Sequence, residues 1–204
     1  MRKYIIILAL FTFSSSLHAQ FYKDMEVKAG ANFAQQENMI RNEKVALDSR
    51  RGIQLGVAKS FPLADLLFVP IEIGYAQMGG RVEQSSFENE MLMQYLYASA
   101  GIGTKKKINA IEPFVSANYR YGYLLSYNPI ISRTPNSIGS NDHGVQLKAG
   151  LGLPLEIITP FIEFGFYQGL NNISSSPSMI SDNGEIVNSE INNSALSILL
   201  GVRF

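Results

Sequence analysis

The sequence contains no cysteine and no tryptophan. Without cysteine there are no disulfides, no thiol nucleophiles and no cysteine-ligated metals. An excess of one charge is also missing: 17 Lys and Arg balance 17 Asp and Glu, for a formal net charge of zero. Net charge therefore points neither to nucleic acid nor to attachment at an anionic surface. Long hydrophobic runs are scarce. Beyond Phe13 none is long enough to cross a membrane as a helix. Histidine is nearly absent, with only His18 and His143. A metal site needs several ligands at the right spacing. Asp182-Asn183-Gly184-Glu185 lacks that spacing for calcium and reads as a turn. No metal and no cofactor are expected.

What is present begins with a targeting signature. Arg2 and Lys3 precede the apolar run Tyr4 to Phe13, followed by the small and polar Ser14 to Gln20. This is the pattern of a secretory signal peptide over residues 1–19, cleaved after Ala19. It leaves 20–204 as one domain of ordinary size. An exported chain without cysteine fits a bacterial envelope.

The remainder alternates with period two, the mark of strands with two unlike faces. The last stretch shows it best. Leu196, Ile198, Leu200, Val202 and Phe204 form one set, and Ala195, Ser197, Leu199, Gly201 and Arg203 the other. Similar segments cover residues 23–33, 50–60, 66–77, 91–103, 110–123, 143–155 and 159–170. Long polar connections alternate with short ones. The expected fold is all-β: an eight-stranded antiparallel up-and-down transmembrane β-barrel, its first and last strands paired so that no edge remains. The termini then lie on the short-turn side.

Alternation alone does not say which face is inside, since a soluble barrel would put the apolar face inward. Three features favour the membrane. The polar face is rich in small residues such as Gly30, Gly56, Gly74, Gly101, Gly150 and Gly165, as a narrow lumen requires. Its charges balance: Glu26, Glu72, Glu112 and Glu163 against Lys28, Arg120, Lys148 and Arg203. Buried charges persist only when paired. Finally, Phe33, Tyr75, Tyr119, Tyr121, Tyr123, Phe166 and Phe204 lie on the apolar face near strand ends, as interfacial girdles do.

The chain resembles the PorT-like small outer-membrane β-barrel proteins of Bacteroidetes-type bacteria. The resemblance rests on Val27-Lys28-Ala29-Gly30-Ala31-Asn32-Phe33, on Ile71 to Gly80, on Phe164 to Ile173, and on the terminal Leu200-Gly201-Val202-Arg203-Phe204. Tyr95 to Ser99 departs from it by lacking a proline. The resemblance implies an outer-membrane location and an accessory role in secretion. By likeness to outer-membrane proteins generally, Phe204 is expected to form part of the assembly signal read by the barrel insertion machinery.

The eight lumen charges are expected to form a structural network rather than line a pore. His143, with Asp142, Ser137 and Ser140 nearby, is the one place where a rim hydrolase could be built, although a triad is defined by geometry and not by sequence proximity. Lys105-Lys106-Lys107 reads as a solvated periplasmic turn, or as a contact for an acidic partner or anionic headgroups. The chain is thus expected to be a monomer whose partners are outer-membrane lipid, the insertion machinery and an envelope or secretion protein, with no nucleic acid. A lipid-modifying hydrolase and a narrow channel remain as alternatives.

Overall fold

The computed structural model describes residues 22–40, 43–46, 48–84, 87–128, 139–173, 178–180 and 186–204. The signal segment 1–19, Ser137 and the Asp182–Glu185 stretch lie outside them. Ten strands form one antiparallel sheet: β1 (Met25–Ile40), β2 (Glu43–Ala46), β3 (Asp48–Pro62), β4 (Leu67–Gln84), β5 (Phe87–Lys105), β6 (Glu112–Asn128), β7 (Asn141–Gly152), β8 (Thr159–Gly169), β9 (Ser178–Ile180) and β10 (Ile186–Arg203). Eight of them make the barrel wall. The short β2 and β9 only extend the sheet at the outer end, against β1 and β10.

β1 pairs with β10 from Glu26↔Arg203 to Ile40↔Ser189, which closes the barrel. The closure is staggered. Partners followed from Met25 run through Lys59, Ile71, Ala100, Tyr119, Val145, Gln168 and Ser194, and return to β1 at Gln35, ten residues farther on. Such a stagger makes the strands tilt about the barrel axis.

The molecule is inside out compared with a soluble protein. Val27, Leu55, Ile73, Leu96, Val115, Leu147, Leu151, Phe164, Ile198 and Leu200 are exposed, while Glu26, Lys28, Glu72, Arg120, Lys148, Glu163 and Arg203 are buried. Hydrocarbon is the solvent that makes this arrangement favourable, because the closed wall pairs its strands' backbone groups with one another and leaves no open edge. Tyr119, Tyr121, Tyr123 and Phe166 are exposed on the outside, and Phe33 and Tyr75 are half-buried.

Most strands run farther outward than the alternation predicts. Gly79–Glu90 is not a loop: β4 and β5 stay paired as far as Gln84↔Phe87. Ala34–Ser49 likewise continues β1, then turns into β2 and β3. Beyond the bilayer the outer face meets water while the inner face still buries a mixture of polar and apolar side chains such as Gln36, Met78 and Met93, so the apolar period disappears while the backbone ladder continues. At the inner end the difference is opposite. β7 stops at Gly152 and β6 starts at Glu112, so Leu153–Leu155 and Ala110–Ile111 belong to turns.

Candidate functional site: the barrel lumen

Lumen side chains come from alternate positions of every wall strand, and glycines give them room. A Cβ added to Gly74 on β4 would lie 2.5 Å from the Tyr97 ring, and one on Gly201 would lie 2.4 Å from that of Phe161. The tip of each aromatic ring therefore lies over a neighbouring strand's backbone. Three layers result.

The middle layer joins six strands, four of them through ion pairs. Lys28 Nζ of β1 lies 2.9 and 3.0 Å from the Glu163 oxygens on β8 and 2.8 Å from Glu72 Oε2 on β4. Lys148 Nζ of β7 donates to the same Glu72 oxygen at 2.5 Å. Tyr97 Oη donates to Glu72 Oε1 at 2.6 Å and accepts from Gln54 Nε2 at 3.1 Å. The two cations and two carboxylates cancel, and each side chain is at most 3% exposed.

At the periplasmic end, Arg203 Nε pairs with Glu26 at 2.8 Å and Arg203 Nη1 with Glu112. Phe114 and Phe161 meet edge to face at 5.8 Å, and the guanidinium lies over both rings, at 5.6 and 5.8 Å. In the outer layer, Arg120 lies 3.9 Å above the Tyr97 ring and 4.7 Å from that of Tyr167. Tyr167 Oη and Asn193 Nδ2 donate to the Asp142 carboxylate at 2.8 and 2.9 Å, and Gln36 donates to Asn193 at 3.1 Å. Above this layer Ala34, Met78, Met93, Ile173 and Ile191 pack with Tyr95 and Tyr167.

All eight charges named from the sequence thus point into the lumen. Seven are joined by ion pairs into two separate groups. Arg120 sits apart, with tyrosines rather than a glutamate against its guanidinium. Tyr97, Tyr167, Asp142, Asn193 and Gln36 were not anticipated as its surroundings. Tyr97 and Tyr167 fall on the polar face of their alternating segments, whereas Gln36, Asp142 and Asn193 lie outside the alternating sets, and the convergence of all five depends on the stagger of the barrel.

Among the described residues the middle of the lumen is filled by side chains. The space beside Glu26, Lys28, Glu72, Lys148 and Glu163 is about 10 Å³, room for roughly one water. A larger depression of about 660 Å³ is lined by residues of the outer wall such as Ile102, Ala117, Leu147, Ala149 and Phe166, so hydrocarbon rather than water faces it.

Among the described residues, which leave out Ser137, no hydrolase geometry forms around His143. Its ring lies 5.9 Å from that of Tyr119 among the outward tyrosines, while Asp142 points inward. Nδ1 of His143 has no hydrogen-bond partner among the described residues, so no described acid orients the imidazole through that nitrogen. Lys105 pairs with Asp24 at 3.2 Å and lies 5.5 Å from the Phe68 ring centre, whereas Lys106 and Lys107 are exposed. Phe204 projects its ring outward, and its backbone exchanges bonds with β1: its N–H donates to Met25 O at 2.9 Å, and its C=O accepts from Asp24 N at 2.7 Å.

A family described as outer membrane protein beta-barrel domain matches residues 13–175. The chain belongs to this family. Among solved structures, this outer-membrane barrel is similar to OprG from Pseudomonas aeruginosa, with a TM-score of 0.54 at 12% identity over 89% of this chain and 96% of that one. It is also similar to Neisserial surface protein A, with a TM-score of 0.51 at 12% identity over 89% of this chain and 98% of that one. At such identity the likeness shows the fold alone. No curated protein matches the sequence. Fold and family together place the barrel in the outer membrane.

Proposed function

We propose that this outer-membrane barrel is a non-conducting monomeric scaffold that works by contact at the cell envelope. The observation that carries this reading is the combination of a lumen filled by ion pairs with a wall extending well beyond the bilayer. From Tyr75, the last lipid-side tyrosine of β4, nine more paired residues lead to Gln84. At about 3.4 Å per residue and a tilt near 40°, they raise the hairpin by roughly 20 Å. A rigid projection of this kind suits binding to another protein, and the PorT-like resemblance makes a secretion component a reasonable partner.

In this reading, residues 1–19 are the export signal and 20–204 the mature barrel. The eight lumen charges hold the wall together, and Phe204 contributes to recognition by the insertion machinery. Planar-bilayer recording tests the non-conducting part. The purified barrel should give no unitary current steps, and regular steps would overturn it. Surface cross-linking of intact cells, with and without deletion of residues 79–90, tests the contact part. The same adduct on both forms would remove the hairpin from the proposal.

A further inference from the structure

The three short turns at the periplasmic end have an unusual surface. Leu63 and Leu66 in the β3–β4 turn, Ile108 and Ile111 in the β5–β6 turn, and Leu155 and Ile157 in the β7–β8 turn are all exposed, Ile157 at 85%. Periplasmic turns standing in water would expose aliphatic surface at all three tips for no gain.

The lipid-facing surface continues into these turns without a break. On β7 and its turn the outward positions are Val145, Leu147, Ala149, Leu151, Leu153 and Leu155. Ten residues at about 3.4 Å, tilted by about 40°, span about 26 Å, close to the apolar band of about 25 Å expected of such barrels. Val145 pairs with Tyr119 of the outer tyrosine group. The inner edge of the hydrocarbon therefore falls at Leu155, and the tip beyond it lies within the headgroup layer.

The turn backbones suit that position. Leu63 N and Ala64 N both donate to Leu67 O, Ile108 and Ile111 exchange bonds at 2.8 and 3.1 Å, and Leu153 N and Leu155 N donate to Pro160 O and Ile158 O at 2.9 Å. These bonds tie the base of each turn, while the N–H groups at the tips, such as those of Asp65, Lys107 and Glu156, have no backbone acceptor among the described residues and suit a polar headgroup layer rather than hydrocarbon. Charge agrees as well. Lys23, Lys106 and Lys107 are exposed at this end and Lys59 is half-buried over Phe61, against exposed Asp65 and Glu156, with Asp24 engaged by Lys105.

We propose that the periplasmic rim is a lipid-binding surface: the turn tips enter the inner leaflet, and Lys106 and Lys107 engage the phosphates of anionic phospholipid. The protein then presents almost no surface to the periplasm, and its protein contacts lie outside the cell. The absence of cysteine permits a direct test, since single thiols can be placed and labelled with an environment-sensitive fluorophore at Ile157→Cys, Ile108→Cys and, as a mid-wall reference, Leu151→Cys. Folding of each variant is verified by heat-modifiable gel migration.

In vesicles of phosphatidylethanolamine and phosphatidylglycerol, the labels at 157 and 108 should emit blue-shifted light. Brominated phospholipid should quench them, and iodide on both sides of the membrane should not. Combining K106E and K107E should weaken this burial in phosphatidylglycerol vesicles and leave it unchanged in phosphatidylcholine. Labels open to iodide in protein-free vesicles would overturn the proposal and make the rim a free surface for a periplasmic protein. Burial indifferent to K106E and K107E in both lipids would overturn the role of the lysines.

Discussion

Lys28 and Glu163 bind each other across the seam of the barrel. They belong to β1 and β8, and β10, which closes the wall, lies between them. The pair therefore reinforces from inside the joint that the backbone makes between the first and last strands. Lys28→Met leaves the Glu163 carboxylate short of a partner and should cost about 3–5 kcal/mol, as for other broken buried pairs. Urea unfolding in phospholipid vesicles measures it. Adding Glu163→Gln should recover part of the loss, and a strictly additive double variant would show that the two residues are not coupled.

Arg120 offers a contrast, because planar stacking rather than a glutamate holds it. Arg120→Lys keeps the charge but loses the flat guanidinium between Tyr97 and Tyr167, so it should not behave as conservative. A desolvated cation–π contact contributes about 2 kcal/mol. The expected result is a lower unfolding midpoint for the lysine variant and a lower one still for Arg120→Ala. Equal midpoints for wild type and Arg120→Lys would remove the stacking argument.

Gly74→Ala should act at a distance from its own site. The added methyl meets both the Leu55 carbonyl oxygen of β3 and the Tyr97 ring, so it strains the wall and displaces the hydroxyl that donates to Glu72. Destabilisation greater than that of Tyr97→Phe, which removes only the hydroxyl, is expected in the same unfolding assay. The reverse order would mean that the β3 backbone and the ring both move aside freely.

The outward face makes its own demand. Leu151 lies halfway along the apolar band, and Leu151→Arg should cost about 2–4 kcal/mol, the range for a cation near the bilayer midplane. The folding equilibrium in vesicles reads it. A cost near zero would place this part of β7 out of the hydrocarbon.

Phe204 needs a more careful test than truncation. Deleting it removes two backbone bonds to the β1 end as well as the ring. Phe204→Ala keeps the bonds and should still lower the amount of folded barrel in the outer membrane, while refolding of the purified variant into vesicles stays close to normal. A matching defect in both settings would make the ring a packing element and not an assembly signal.

The transmembrane parts of these strands could be read directly, because hydrocarbon outside and a polar lumen inside impose a two-residue period. Leu196 to Phe204 shows this most clearly. The same logic hid the outer extensions of β1, β4, β5 and β10. There the outer face meets water and the enclosed face is mixed, with Gln36 and Asn193 buried beside Ala34 and Met93, so residues such as Gln35, Gln36 and Glu37 carry no apolar period, and the backbone pairing that makes them strand leaves no mark in side-chain polarity.

By itself, the sequence determined that Glu26, Lys28, Glu72, Glu112, Arg120, Lys148, Glu163 and Arg203 share one face, and that this face must be enclosed. Only the tertiary structure decided which of them meet. Partners in a barrel are chosen by the ten-residue stagger of its closure, which brings Lys28 to Glu72 and Glu163 but Arg120 to tyrosines. It also turned His143 toward the tyrosines of the outer wall, since two neighbours on a strand, Asp142 and His143, must face opposite sides.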